Sequence, residues 1–177
     1  MASELQGFAA LKPCCITKVN VDVQKGIHPF GEAYNGSRLT HFECPSGTVE
    51  SVPGFEPAFK ANFTFGGDWF SMDADGKHGR VDFRGIARSE EGHEIDVRVY
   101  GIVKMGPEAS KVFNLQPDMA TVPFGWITAK AEYIVSDPKL KFLETSILVG
   151  NARVLIDPET GVTIENRQSI VLSTTAE

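Results

Sequence analysis

Long apolar runs, clustered positive charge and cofactor motifs are all missing from this chain, and each absence narrows what it can be. No run approaches the eighteen or so apolar residues of a membrane-spanning helix. No charged-then-apolar leader opens the chain, so a cytoplasmic location is the expectation. With 17 Lys and Arg against 23 Asp and Glu, a net charge of -6, it lacks the cationic excess that phosphate contacts need, and no nucleic-acid partner is expected. Cysteine is scarce: Cys14 and Cys15 are adjacent and Cys44 is distant, a poor disulfide framework that points to reduced thiols. The histidines His28, His41, His78 and His93 are scattered, and none pairs with another ligand at zinc-finger or helical spacing, so no metal is expected. There is no Gly-x-Ser-x-Gly elbow, phosphate-binding glycine loop or dinucleotide fingerprint. Chemistry on this chain is therefore expected to run without a cofactor.

Strand periodicity, by contrast, is abundant. Arg80 to Arg88 alternates polar and apolar residues, Ser89-Glu90-Glu91-Gly92-His93 interrupts it, and alternation resumes from Glu94 to Tyr100. Period-two patterning on both sides of a short Gly-containing connection predicts a β-hairpin. Further strands are expected over Cys14 to Val23, Arg38 to Glu43, Thr48 to Val52, Phe59 to the Gly66-Gly67 pair, Phe124 to Val135, Phe142 to Ile156 with a bend at Gly150, and Val162 to Leu172. Val19, Val21 and Val23 share one face, as do Phe59, Phe63 and Phe65. The vicinal cysteines lie on a strand, which sends one thiol inward and one outward. Pro107 to Met119 is read as either one short helix or a long loop. The 177 residues are expected to form a single domain, with 1–10 and 173–177 as loose termini. Eight to ten short strands with Gly and Pro turns predict an all-β protein, an antiparallel barrel in preference to a sandwich, shaped as a lipocalin-like cup that can hold one small ligand.

The hairpin's two faces differ in chemistry. Val81, Phe83, Ala87, Ile95, Val97, Val99 and Val103 form one; Asp82, Arg84, Arg88, Asp96, Arg98 and Tyr100 form the other. The plain reading sends the apolar face inward and leaves cross-strand ion pairs in water. The functional reading has part of the charged face lining a polar lumen, with Asp82 as a base and Arg84 and Tyr100 holding an oxyanion or phenolate. Parity alone leaves both open, because a ligand-holding lumen can itself be polar. Arg98 shares that face and is counted with Phe65, Trp69, Phe124 and Trp126 as a substrate-contact candidate. The two Trp indoles need an acceptor that a dry core does not offer.

Three ordered blocks then resemble the bacterial and fungal β-barrel family catalogued as domain of unknown function 3237. They are Gly66-Gly67-Asp68-Trp69 with Asp75-Gly76 and Asp82-Phe83-Arg84; Glu91-Gly92-His93-Glu94-Ile95 leading to Tyr100-Gly101; and Asp137 to Glu144 followed by Ile147-Leu148-Val149-Gly150. The resemblance implies a barrel, self-association into a homo-oligomer, and a place in secondary metabolism, but no particular reaction. Leu140, Phe142 and Glu144 stand where relatives carry Tyr, Trp and Asn. A carboxylate in place of that amide adds Glu144 to the candidate site. Three functions follow as expectations: a cofactor-free cyclase, isomerase or pericyclic-addition catalyst (a Diels-Alderase, for example) on a polyketide- or terpenoid-like substrate; a non-catalytic carrier of an apolar small molecule; and an assembly module with a filled interior. The volume of the lumen separates the third from the others.

Overall fold

In a computed structural model, which describes residues 7–158 and 161–174, alternation has become ten strands. They are β1 (Ala10–Val21), β2 (Ile27–Glu32), β3 (Arg38–Glu43), β4 (Ser46–Ser51), β5 (Lys60–Met72), β6 (His78–Ser89), β7 (Glu94–Lys104), β8 (Val122–Val135), β9 (Leu148–Asp157) and β10 (Gly161–Leu172). A helix, α1 (Pro107–Phe113), joins β7 to β8, and a 3-10 helix (Pro138–Leu143) joins β8 to β9. Eight strands close a ring in the order β1-β4-β5-β6-β7-β8-β9-β10, and antiparallel β1–β10 pairing seals it. The pair β2–β3 extends one rim of the ring along β5. Closure removes the edges of the ring, and eight strands leave an interior that side chains fill or that holds one small ligand. Among the described residues no helix is long and apolar enough to cross a membrane.

The hairpin forms as its periodicity predicts, β6 and β7 pairing in unbroken register from His78↔Lys104 to Arg88↔Glu94. Its apolar face turns inward: Phe83, Ala87, Ile95, Val97, Val99 and Val103 are all buried. The magnitudes decide this, because each large apolar side chain gains roughly 1.5–3 kcal/mol on burial, whereas a surface ion pair contributes at most about 1 kcal/mol. The core has two stacked parts. Around Phe63, Tyr133, Leu143 and Leu148 it is solidly packed and closed by the 3-10 helix; around Phe70, Val103, Ile127 and Val154 it lies beneath α1.

Three segments depart from expectation. Phe142 to Ile156 is not one strand: Pro138 starts a helical turn, Asp137 Oδ1 accepts the Lys139 amide at 2.9 Å, and β9 begins only at Leu148. Strand β2, with its Pro29 and Gly31, carries no clear alternation and was not expected. Both Cys14 and Cys15 are buried, because a register shift between Pro13 and Cys15 breaks the alternation that would have turned one thiol outward. Of the expected loose termini, 1–6 and 175–177 lie outside the described residues; Thr174 Oγ1 donates to the Phe8 carbonyl at 2.7 Å.

Candidate functional site

The half of the barrel beneath α1 encloses a cavity of about 100 Å³. Its walls are apolar, including Val19, Val21, Val103, Ile127 and Val154, and four polar or polarisable side chains interrupt them: Thr17, Cys44, Asp68 and Asn166. The mouth is covered from the β7–β8 connection by Val112, Phe113 and Leu115. Phe113 stacks on Phe70 at 4.2 Å between ring centroids and meets Phe42 edge-on at 6.1 Å. Lys111 Nζ reaches Asp118 at 2.6 Å and ties α1 to the chain that follows it. Leu115 sits at a φ of 49°, a left-handed conformation that ordinarily favours glycine after a helix. Its side chain lines the cavity.

Among the described residues Asp68 is the only carboxylic acid lining the cavity. A bulge in β5 puts it there. Register against β6 shifts between Phe63 and Phe65, so that inward positions run Ala61, Phe63, then Gly66, Asp68 and Phe70. Without the extra residue Phe65 and Trp69 would point inward and Asp68 outward, since a one-residue slip exchanges the faces. Asp68 Oδ1 accepts the backbone N–H of Asp82 at 2.9 Å, in the stretch where β5 and β6 lack ladder pairs. Burial among apolar walls pushes its carboxyl up to about 7, against the pull of that hydrogen bond. Cys44 close by is pushed up to about 12, by burial and then by the Asp68 charge, and stays a thiol.

On the β1–β10 side of the lumen the polar groups form a chain. The Tyr133 phenol donates to Gln168 Oε1 at 2.6 Å, and Gln168 Nε2 donates to Thr17 Oγ1 at 3.0 Å. Desolvation holds Tyr133 well above its ordinary pKa, so it remains a protonated donor. Asn166 faces Thr17 across the β1–β10 ladder. It is 5% exposed, and neither side-chain polar atom has a hydrogen-bond partner among the described residues. Among the same residues no group of three or more His, Cys, Asp or Glu is placed to hold a metal ion.

A family model described as "Protein of unknown function (DUF3237)" matches residues 9–169. The chain belongs to that family. Solved structures share its fold, three of them as follows. A conserved protein of unknown function from Rhodopseudomonas palustris superposes with a TM-score of 0.70 at 16% identity, covering 93% of this chain and 99% of that one. A protein of unknown function from Clostridium acetobutylicum gives 0.68 at 17% identity, with 93% and 99% covered. A β-barrel-like protein from Acinetobacter baumannii gives 0.66 at 16%, with 93% and 96% covered. No curated protein matches the chain.

In this DUF3237 barrel the candidates read from the sequence lie outside the lumen. The side chains of Asp82 and Arg84 are exposed on the outer wall, where Arg84 pairs with Asp96 at 3.1 Å. Tyr100, opposite Asp82, lies in an open outer groove under Lys130, whose Nζ is 5.0 Å from the ring. Arg98 stands beside Arg84 on the same face. The reading in which this charged face lines the cavity therefore gives way; Asp82 touches the lumenal site only through its main-chain amide. Phe65 and Trp69, 55% and 42% exposed, are turned outward by the bulge, and Trp69 packs on His41. Phe124 lies outside against the guanidinium groups of Arg153 and Arg167, at 4.8 and 5.0 Å. Trp126 packs over Gly106 at the start of α1. Glu144 clamps the 3-10 helix, accepting the Val135 amide at 2.8 Å and Lys141 Nζ at 2.7 Å, and Lys141 first, then that amide, lower its pKa. Asp68 lies inside the Gly66-Gly67-Asp68-Trp69 motif but was not among the candidates read from the sequence.

Proposed function

We propose that the barrel is a cofactor-independent enzyme that moves a proton on an apolar small molecule held in its lumen, an isomerase or cyclase of carbonyl compounds. The observation that carries this reading is one carboxyl group, Asp68, set in a largely apolar cavity and held by a single backbone hydrogen bond. A carboxyl poised near neutrality in such a site suits general acid–base work at physiological pH. The ionised group takes a proton from the carbon next to a carbonyl. The C–H electron pair becomes a carbon–carbon double bond and the carbonyl π pair moves to oxygen. Returning the proton from Asp68 to another carbon gives an isomer; attack of the enolate carbon on a second carbonyl carbon of the same molecule closes a ring, that carbonyl's π pair moves to its oxygen, and the proton on Asp68 neutralises the resulting alkoxide.

The cavity is smaller than the roughly 300–1,000 Å³ of drug-sized pockets. A polyketide- or terpenoid-like substrate accordingly places a compact carbonyl head in the 100 Å³ lumen and its remaining skeleton at the mouth, with α1 displaced. The apolar walls also favour a second reading, a carrier that binds the same molecules without turnover. Proton exchange separates the two. Small cyclic ketones are incubated in D2O with the protein and with Asp68→Asn, and α-proton loss is followed by NMR. The enzyme reading expects exchange catalysed by the native protein and abolished in Asp68→Asn. Ketone binding with no exchange above the buffer rate in either protein leaves the carrier and refutes the enzyme.

A further inference from the structure

We propose that Thr17 and Asn166 form a two-donor site for the carbonyl oxygen of the lumenal ligand, with the Thr17 hydroxyl positioned by its hydrogen bonds to Gln168 and Tyr133. The proposal rests on the lumenal reading above and adds the chemical class that the lumen selects.

The direction of the chain fixes what each group can offer. Gln168 Oε1 receives the Tyr133 phenol proton at 2.6 Å and the Cys15 thiol at 3.7 Å, so its amide nitrogen is left to donate. That nitrogen donates to Thr17 Oγ1 at 3.0 Å. The Thr17 oxygen is thus an acceptor toward Gln168, and its rotatable proton serves either the Tyr133 oxygen beside it or an acceptor in the cavity it lines. Across the ladder Asn166 lines the same cavity with an amide that nothing among the described residues satisfies. Buried polar groups in native proteins are nearly always paired, and an exception asks for a partner the protein itself does not contain. Gly150 has kept the space: a β-carbon there would collide with the Asn166 Oδ1 and crowd the whole amide.

The ligand class follows from charge. Among the described residues no Lys or Arg lines the cavity and Asp68 does, so a permanent anion is disfavoured; the Thr17 hydroxyl and Asn166 amide offer donors, which favours an acceptor over a cation. An uncharged head group with one strong acceptor, a ketone or enone, fits both. The cavity of about 100 Å³ is smaller than the roughly 150 Å³ that admits benzene, so a small cyclic ketone enters with α1 displaced.

The test uses cyclopent-2-enone carrying ¹³C at its carbonyl, read by NMR and infrared spectroscopy in the intact protein. The bound carbonyl is expected to move downfield and its stretch to fall in frequency. Asn166→Leu removes an unpartnered amide, so it should fold at least as stably as the native protein while losing most of the shift. Thr17→Ser should keep the shift and Thr17→Val lose it, which preserves the test if the Asn166 variant fails to fold. Tyr133→Phe should leave the ligand bound with a diminished shift, the mark of a positioning residue. Absence of a bound resonance, or a shift unchanged in Asn166→Leu and Thr17→Val, overturns the proposal. Asp68→Asn separates it from the proton-transfer reading: a carbonyl shift without exchange refutes only the enzyme, and exchange without a shift refutes only the donor pair.

Discussion

Replacing Asp68 by Asn changes stability in a way that only a lumenal carboxyl explains. In the folded chain the group titrates near 7 against an ordinary 3.8, a gap of about 3 pK units, equivalent to roughly 4 kcal/mol at 1.36 kcal/mol per unit. The folded pKa lies above the unfolded one, so between those two pH values the folded state holds a proton that the unfolded state releases. This one group therefore makes the native protein lose stability as pH rises from about 4 to about 7, and the loss is complete above that. Asparagine carries no such dependence, and its Oδ1 still accepts the Asp82 amide. The two proteins should be nearly equal in stability at about pH 4, with the variant more stable at about pH 8 by up to roughly 4 kcal/mol. That figure is a ceiling, because Asp68 is only half-buried and hydration through the cavity eases the ionised state. Urea unfolding of both proteins across this range reads the difference directly. A difference that stays constant with pH, or a variant less stable at about pH 8, refutes the reasoning.

Other perturbations reach other parts of the account. Phe113→Ala removes the ring stacked on Phe70 and edge-on to Phe42; it should cost about 2 kcal/mol in urea unfolding and tighten binding of an environment-sensitive naphthalene dye through the widened mouth. Gly150→Ala drives a β-carbon into the Asn166 amide; a cost of roughly 1–3 kcal/mol is expected, with loss of the cyclopentenone carbonyl shift. Glu165, 2% exposed on the outer side of β10, holds Arg153 at 3.0 Å and Arg167 at 2.8 Å, and Glu165→Gln should cost about 2–3 kcal/mol near neutral pH. Burial works to raise the Glu165 pKa, but the two guanidinium groups hold it below the ordinary value. Its contribution is therefore present at neutral pH and disappears as acid protonates it, so the native protein and the Glu165→Gln variant should converge in stability at low pH.

Much of the barrel was legible because alternation is a backbone property. The β6–β7 hairpin, the valine face of β1 and the strands β3 and β10 follow directly from period two and turn residues. The lumenal residues Asp68, Thr17 and Asn166 were not legible as a site. The aromatic row Phe59, Phe63 and Phe65 suggested one continuous face, and nothing in the residue types announces the bulge after Phe63 that sends Phe65 and Trp69 outward and Asp68 inward. The charged hairpin drew attention because it concentrates titratable groups, yet those pairs are what an antiparallel outer wall carries against water. Asn166, Gln168 and Tyr133 were missed for another reason. Asn166 and Gln168 sit in the polar run Glu165 to Ser169 of β10, where inward and outward polar residues look alike, and what links them to Tyr133 and Thr17 is cross-barrel register over more than thirty residues of sequence. The proline-started turn before β9 was read as strand because Phe142 to Ile156 is rich in apolar and β-branched residues. Asp137 and Glu144 capture the backbone there by side-chain hydrogen bonds, which periodicity does not register.

The most direct test of the lumen as the functional site is a crystal structure of the protein grown with cyclopent-2-enone. The account predicts ligand density inside the barrel, with the carbonyl oxygen at hydrogen-bond distance from Thr17 and Asn166 and the ring facing Asp68. An empty or protein-filled lumen with the ligand seated on the outer wall, against Arg84 or Tyr100, contradicts it.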